Sequence, residues 1–492
     1  MELQFYKAAV PYLRRVINDT QIREETQEVR IGEELPDIGR IICCWGQAIL
    51  QNKQWRPEGI AVGGGVTARV LYEPVEGGNP VTVETWIPFQ MKWNLDSPEQ
   101  DGTITAYPFL RSLDARSVSD RKMIVSADVG VFAQARVEDN AQLYKPQELP
   151  EDVCVKMVKY PMKVPAEAGE KVFTLEEQLN TPIPIESVLY YKASVKLAEQ
   201  KLLTDKLVFR GMLQLHMLYQ GADSANHTLD VELPFSQYVE LKQDYPDQDC
   251  VQMVFAVTEL DVKVDAEGKP ELKAGILAQY VLYTDMLLEV AEDAYSISRE
   301  MELQYDPLKL PAVLDVVGDT ISVTQNLSDL QMDVIDAVFY PDIPSLYQDE
   351  NGLAAALSGQ MAILGTDMEG KLQSVVRNWD GEKRIPADRN VGTELYLFED
   401  GHCKMTGKGA ETQLNMQMYL QNEKELQILQ ALTLGEDKKP DAERPSLILC
   451  RAGSGTLWDM AKRNGSTEEA IRKANGLSAE PEEGKLLLIP VM

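Results

Sequence analysis

The sequence predicts a mainly β chain: tandem β-rich, sandwich-like domains followed by a small βααβ domain. Three observations carry that expectation. The body is a succession of short runs rich in Val, Ile, Leu and Tyr, separated by turn-forming clusters. Two of these runs recur, with their surroundings, at a spacing of 147 residues. The stretch from Leu447 onward instead reads as strand, helix, helix, strand.

The body runs come first. Residues 60–62, 66–72, 81–86, 123–131, 213–219, 229–233, 251–257, 276–282 and 413–420 alternate apolar with polar side chains, as half-buried antiparallel strands do. The first repeat reads Gly64-Gly65-Val66-Thr67-Ala68-Arg69-Val70-Leu71-Tyr72, and Pro88-Phe89 closes an acidic, β-branched strand 16 residues after Tyr72. The second reads Gly211-Met212-Leu213-Gln214-Leu215-His216-Met217-Leu218-Tyr219, and Pro234-Phe235 follows 15 residues after Tyr219. A strand precedes each, at 41–45 and 188–191, and a proline precedes that, at Pro36 and Pro184. A fainter third copy begins at Gly359, 148 residues beyond Gly211, with a strand-like 334–340 before it and Ile385-Pro386 after it. It lacks the Leu-Tyr and Pro-Phe pairs. So long a period exceeds any solenoid unit and fits duplication of a whole domain.

Proline-rich and charged stretches set the expected boundaries. Residues 145–170 hold Pro146, Pro150, Pro161 and Pro165, and 293–311 separates the second and third copies. The expected organisation is an N-terminal segment 1–26, a first domain 27–145, a second 170–292, a degenerate third 311–434, a linker 435–446 and a tail 447–492.

Within the tail, 447–450 is a short apolar strand. Thr456 can cap a helix with Leu457, Met460 and Ala461 on its apolar face. Thr467 can cap a second, with Glu468 and Glu469 in the first turn, where carboxylates suit the helix dipole. Gly476, after Asn475, is a C-terminal stop, and 486–489 is the closing strand.

The tail resembles a LysM domain through Gly455-Thr456-Leu457-Trp458-Asp459-Met460-Ala461-Lys462, Ala474-Asn475-Gly476-Leu477 and the terminal Gly484-Lys485-Leu486-Leu487-Leu488-Ile489-Pro490. That family usually has Gly-Asp-Thr-Leu in its first loop, and no Asp stands there in this chain. The resemblance implies a non-catalytic binding groove formed by Gly453, Ser454, Gly455, Thr456 and Leu457 with Asn475, Gly476 and Leu477. In the family this groove takes N-acetylglucosamine chains. The altered loop shifts the expectation toward weak chitin-oligomer binding and a protein ligand. The glycine strand followed by an acidic strand ending Pro-Phe resembles the SPOCS domain of bacterial spore-coat assembly proteins. Tandem SPOCS-like copies before a LysM resemble the architecture of SipL-like, and more distantly SpoVID-like, spore coat morphogenetic proteins.

Bulk composition narrows the function classes. The net charge is −30. The chain from Arg444 onward has seven Lys/Arg and six Asp/Glu, so the acidity lies in the body. An acidic body repels phosphate backbones and acidic membrane surfaces, so neither nucleic-acid binding nor membrane insertion is expected. No run approaches 18 apolar residues and the N-terminus does not read as a secretory signal. The six cysteines lack a C-x-x-C spacing and read as free thiols of a reducing compartment.

No chemistry-bearing constellation stands out. His216, His227 and His402 are the three histidines, and no spacing brings four metal ligands together. His216 reads as a strand-face residue. Gly63-Gly64-Gly65 precedes a strand rather than a helix, so close packing or a bulge is expected instead of a phosphate cradle. Trp45 and Trp86 read as core, and Trp55 and Trp93 are open. No catalytic residue, metal or cofactor is expected.

Two functional readings follow. In the first, the resemblance implies a non-enzymatic scaffold of spore coat or envelope assembly in the mother-cell cytoplasm, at the forespore surface. Its LysM would engage a coat-basement ATPase-like morphogenetic protein, with self-association through edge strands open to it. In the second, the chain is a peptidoglycan- or cortex-glycan-binding LysM protein, with or without a cell-wall hydrolase role. The missing export signal and the missing catalytic constellation weigh against it.

Overall fold

The alternating runs all become strands, and most strands extend well past the runs. A computed structural model describes the chain except at positions 1, 4, 247–249, 327–329, 331, 351, 386–391, 407–408, 439–444 and 454; the side chains at 2–3, 309–326, 385, 392–406 and 409–424 also lie outside the description. After the short β1 (Glu2–Leu3), residues 5–146 hold β2 (Phe5–Arg30), β3 (Ile38–Arg56), β4 (Gly59–Pro74), β5 (Val81–Asn94), β6 (Thr103–Ser119) and β7 (Lys122–Pro146). They pair as two antiparallel sheets, β3-β4-β5 and β2-β7-β6. One apolar core joins the two sheets, with Trp45, Val66, Val70, Tyr72, Met91, Met123, Val125 and Val129 buried in it.

The same connectivity occurs three times. The second unit has β8 (Val153–Gln178), β9 (Ile185–Leu203), β10 (Lys206–Gly221), β11 (Asn226–Glu240), β12 (Cys250–Val264) and β13 (Pro270–Ser296), paired as β11-β10-β9 and β12-β13-β8. The third has β14 (Arg299–Asn326), β15 (Asp333–Pro341), β16 (Ser345–Asp349), β17 (Gly352–Thr366), β18 (Leu372–Ile385), β19 (Gly392–Thr406) and β20 (Gly409–Asp437). There β17 lies between β15 and β18, β14 and β19 flank β20, and β16 is an added strand on β17. In every unit a three-stranded meander is inserted between a long first strand and a closing hairpin, and the first strand pairs with the last.

The repeated motif is a packing device. Gly64 sits directly across from Phe89, and Gly211 across from Phe235. A Cβ on Gly211 would run into the Lys196 carbonyl and the Phe235 ring, and one on Gly64 into the Ile49 carbonyl and the Phe89 ring. Each ring therefore fills the space a side chain would need, and the glycine lets the neighbouring backbone come close. In the third unit Gly359 faces Trp379, and the ring over it is Phe339 from β15. That swap accounts for the missing Pro-Phe. The Leu-Tyr tyrosines are core residues, Tyr72 donating to the Pro36 carbonyl at 2.8 Å.

Several expectations are corrected. Residues 1–26 are not a separate segment: β2 starts at Phe5 and zippers onto β7 down to Arg30. The expected loops 145–170 and 293–311 are mostly strand, because β8 starts at Val153 and β14 at Arg299. Prolines misled the sequence reading. Pro11, Pro88, Pro108, Pro161, Pro165, Pro234, Pro307 and Pro311 all lie inside edge strands, where a missing N–H breaks no ladder. Of the expected linker, 435–437 continues β20 and 439–444 lies outside the described residues. Trp86 is 37% exposed rather than core, lying across Gly65, whereas Trp93 is buried and donates to Asp19 at 3.0 Å. Trp45 is buried as expected.

The three units close on one another. Gln47 of β3 donates to the Ala193 carbonyl at 2.5 Å and accepts from the Ala193 amide at 2.8 Å. Gln279 of β13 does the same to Ala106 of β6, at 2.9 Å in both directions. Each glutamine supplies one ladder rung to an edge strand of the neighbouring unit, whose backbone would otherwise be buried unpaired. Unit three returns to unit one through Arg111, which grips both oxygens of Asp342 at 2.8 and 2.9 Å. These joints surround a cavity of about 100 Å³ lined by all three units, Gln47, Phe109, Val195, Phe255 and Phe339 among them.

Units two and three share apolar core residues and, in addition, a buried ionic contact. His216 lies between Asp230 of β11 and Asp336 of β15, at 2.7 Å from each. Burial alone would lower the imidazole, but the two carboxylates outweigh it and raise it to about 9, with Lys192 opposing them. His227 meets Asp223 within its own hairpin at 3.0 Å, and the side chain of His402 lies outside the described residues.

Two outcomes are expected. Phe235→Ala removes the ring over Gly211 and should cost about 3 kcal/mol in urea unfolding, with Phe235→Leu costing about half as much. His216→Gln should cost about 3 kcal/mol at pH 6. The folded-state value lies above the ordinary one near 6.5, so this contribution is complete below about pH 6.5 and fades as pH rises through about 9. At pH 10 wild type and variant should unfold at nearly the same urea concentration.

Candidate partner-binding site in the C-terminal tail

The tail is β21 (Leu447–Arg451), α1 (Leu457–Asn464), α2 (Glu468–Asn475) and β22 (Leu486–Pro490), with β21 antiparallel to β22. Apolar spacing brings Leu457, Ala461, Ile471, Leu487 and Ile489 into one small buried core. Thr456 caps α1 in a capping box: its hydroxyl accepts from the Asp459 amide, and its own amide donates to the Asp459 carboxylate at 2.9 Å. These bonds from Thr456 hold the Asp459 carboxyl below its ordinary range. Asp459 thus places a negative charge beside the first loop. Thr467 caps α2 by accepting from Ala470 at 3.0 Å, and Gly465 and Gly476 end the helices with φ of 57° and 62°.

The expected groove residues divide into exposed backbone and buried support. Gly453, Gly455 and Gly476 are exposed, Thr456 is occupied as a cap, and Leu457 is wholly buried. Leu477 is half-buried against the core, and Ser454 lies outside the described residues. Asn475 does not offer its amide to a ligand. It donates to the Ile471 and Leu488 carbonyls at 2.8 and 2.6 Å and accepts from the Leu488 amide at 2.8 Å, adding a rung to the free edge of β22. The first loop and the segment after α2 are tied by Glu480, which accepts from the Leu457 amide at 3.2 Å and from Arg472 at 2.6 Å. Glu480 escaped the sequence reading because nothing local marks it; only the fold brings it to the start of α1.

The tail is not independent of the body. Trp458 shares the tail's apolar cluster and also sits edge-on to Tyr295 of β13, with centroids 4.8 Å apart, and donates to Asp293 at 2.8 Å. Lys462 reaches the same carboxylate at 2.7 and 2.8 Å, and Tyr295 donates to the Ser466 carbonyl at 2.8 Å. Burial, with Cys154 alongside, pushes the Tyr295 hydroxyl well above its ordinary range. The far end of the second unit is thus the platform for the tail. Among the described residues no cluster of His, Cys, Asp and Glu is placed to hold a metal ion, and no helix is long and apolar enough to cross a membrane.

This architecture is mainly β, three meander-and-hairpin units followed by a βααβ module. Residues 184–265 match the family model described as SipL, SPOCS domain. The chain therefore carries a SPOCS domain, and the matched stretch runs from β9 through β12, the meander of the second unit and the first strand of its hairpin. No curated protein and no solved structure matches the chain.

Because the amide of Asn475 holds β22, Asn475→Ala should weaken the tail itself by about 1–2 kcal/mol. The loss should appear as faster amide hydrogen exchange across residues 447–492, with exchange in the body unchanged.

Proposed function

We propose that this chain is a non-enzymatic scaffold of spore coat or envelope assembly. The SPOCS match over residues 184–265 carries the reading. Its motif residues are core glycines and rings rather than exposed reactive groups, and the first and third units repeat its connectivity. On this reading all three units are SPOCS-like copies that attach coat layers from the mother-cell side of the forespore. The tail, as a LysM-like module, engages a coat morphogenetic protein of the coat-basement ATPase class. A protein ligand is favoured over an N-acetylglucosamine chain because the Leu457 amide and the polar atoms of Asn475 are already used inside the module.

The test is localisation in sporulating cells. A fluorescent fusion of the full chain should ring the forespore, and deletion of residues 445–492 should leave a folded but diffuse protein. Retention of the full chain on insoluble peptidoglycan, with no forespore signal, would replace this reading with the glycan-binding one.

A further inference from the structure

The outer face of the β21–β22 ribbon is apolar where a solvated strand face is ordinarily polar. Ile448, Cys450, Leu487 and Ile489 turn toward the helices. Leu447, Leu449, Leu486 and Leu488 turn away and are 51, 62, 53 and 39% exposed. The register sets Leu449 against Leu488 and Arg451 against Leu486, so Arg451 stands on the same outer face at one end of the leucines. It is exposed and has no ion-pair partner among the described residues.

Size and charge say what fits. Five strand residues span about 15 Å, and two paired strands present a strip about 10 Å wide. A helix rises 1.5 Å per residue, so about ten residues of an amphipathic helix match that length with their i, i+3, i+4 and i+7 stripe. A second copy of the ribbon is a poor occupant. Its outer face carries the same leucines and Arg451 and no carboxylate, so it cannot meet Arg451 with an opposite charge. The free edge of β22 is capped by Asn475, which disfavours strand addition there. The unpaired Arg451 calls for a carboxylate at the end of the stripe, and the near-neutral tail tolerates one where the acidic body would not.

We propose that this face receives an amphipathic helix of a partner protein, its leucine-type stripe on the four leucines and a carboxylate of its own on Arg451. This rests on the reading of the tail as a protein-binding module, and it moves the binding surface from the loop groove to the ribbon.

The probes are two synthetic helical peptides with leucines at i, i+3, i+4 and i+7, identical except for Glu or Gln at the end of the stripe. Each is titrated against the full chain by fluorescence anisotropy at 0.15 M salt. The Glu peptide should bind saturably, about fivefold tighter than its Gln twin. Leu449→Ser with Leu488→Ser should weaken binding at least about tenfold without changing the melt, since both side chains are exposed. Arg451→Gln should make the twins equal. No saturable binding, binding unchanged in the double variant, or wild-type self-association abolished by the double variant would each overturn the proposal. In sporulating cells, a double variant that localises like wild type beside a diffuse 445–492 deletion would overturn the helix-binding face and leave the scaffold reading standing. A deletion that localises normally would overturn the protein-binding role of the tail itself.

Discussion

Pairing between the first and last strands of each unit is the constraint on which everything else rests. Phe5 faces Pro146, Val153 faces Ser296 and Asn326 faces Gly409, each across a whole inserted meander or hairpin. No unit can complete its second sheet until its final strand is present, so the contacts are non-local and the fold is slow to nucleate. The same pairing makes the long strands project beyond the meanders. Phe5, Leu143, Val164, Leu288, Leu429 and Leu432, drawn from all three units, gather there in a second core. The far end of β13, with Asp293 and Tyr295, is where the tail docks.

The joints are built from unlike chemistry on like scaffolds. Arg69 of unit one and His216 of unit two stand 147 residues apart and face acids at matching places, Glu84 and Asp230. Arg69 then lies over the Tyr191 ring of the next unit, 4.2 Å from its centroid, while His216 reaches Asp336. In unit three the corresponding position is Leu364, buried in the shared core. Three copies of one connectivity thus meet through a cation on an aromatic ring, a buried ion pair and an apolar contact. Such differences keep tandem copies from exchanging places, because each cation finds its partner on one neighbour alone.

Much of this was legible in the sequence. Alternation placed the strands, since one face of each sheet is buried, and the recurrence of Gly64 with Phe89 at Gly211 with Phe235 marked a duplicated unit because both pairs solve the same packing problem. The capped helices of the tail were legible from Thr456 and Thr467. What failed has physical causes. Pro161 and Pro165 read as loop breakers, but an edge strand has a side that needs no N–H. Residues 5–30 carry many charges because β2 is an edge strand, and that hid a strand. His216 looked like an ordinary strand residue because its partner Asp336 is 120 residues away. Asn475 read as a ligand contact from its chemistry, whereas its environment turns that chemistry inward.

The account stands most directly on closure of the third unit back onto the first. A double-mutant cycle on Arg111→Ala and Asp342→Ala, groups 231 residues apart in sequence, measures that closure. The two-pronged contact predicts a coupling of about 1 kcal/mol or more in urea unfolding, weakened by salt. Strictly additive effects of the two substitutions would show that Arg111 and Asp342 do not hold each other in solution, and would contradict closure of the body through that contact.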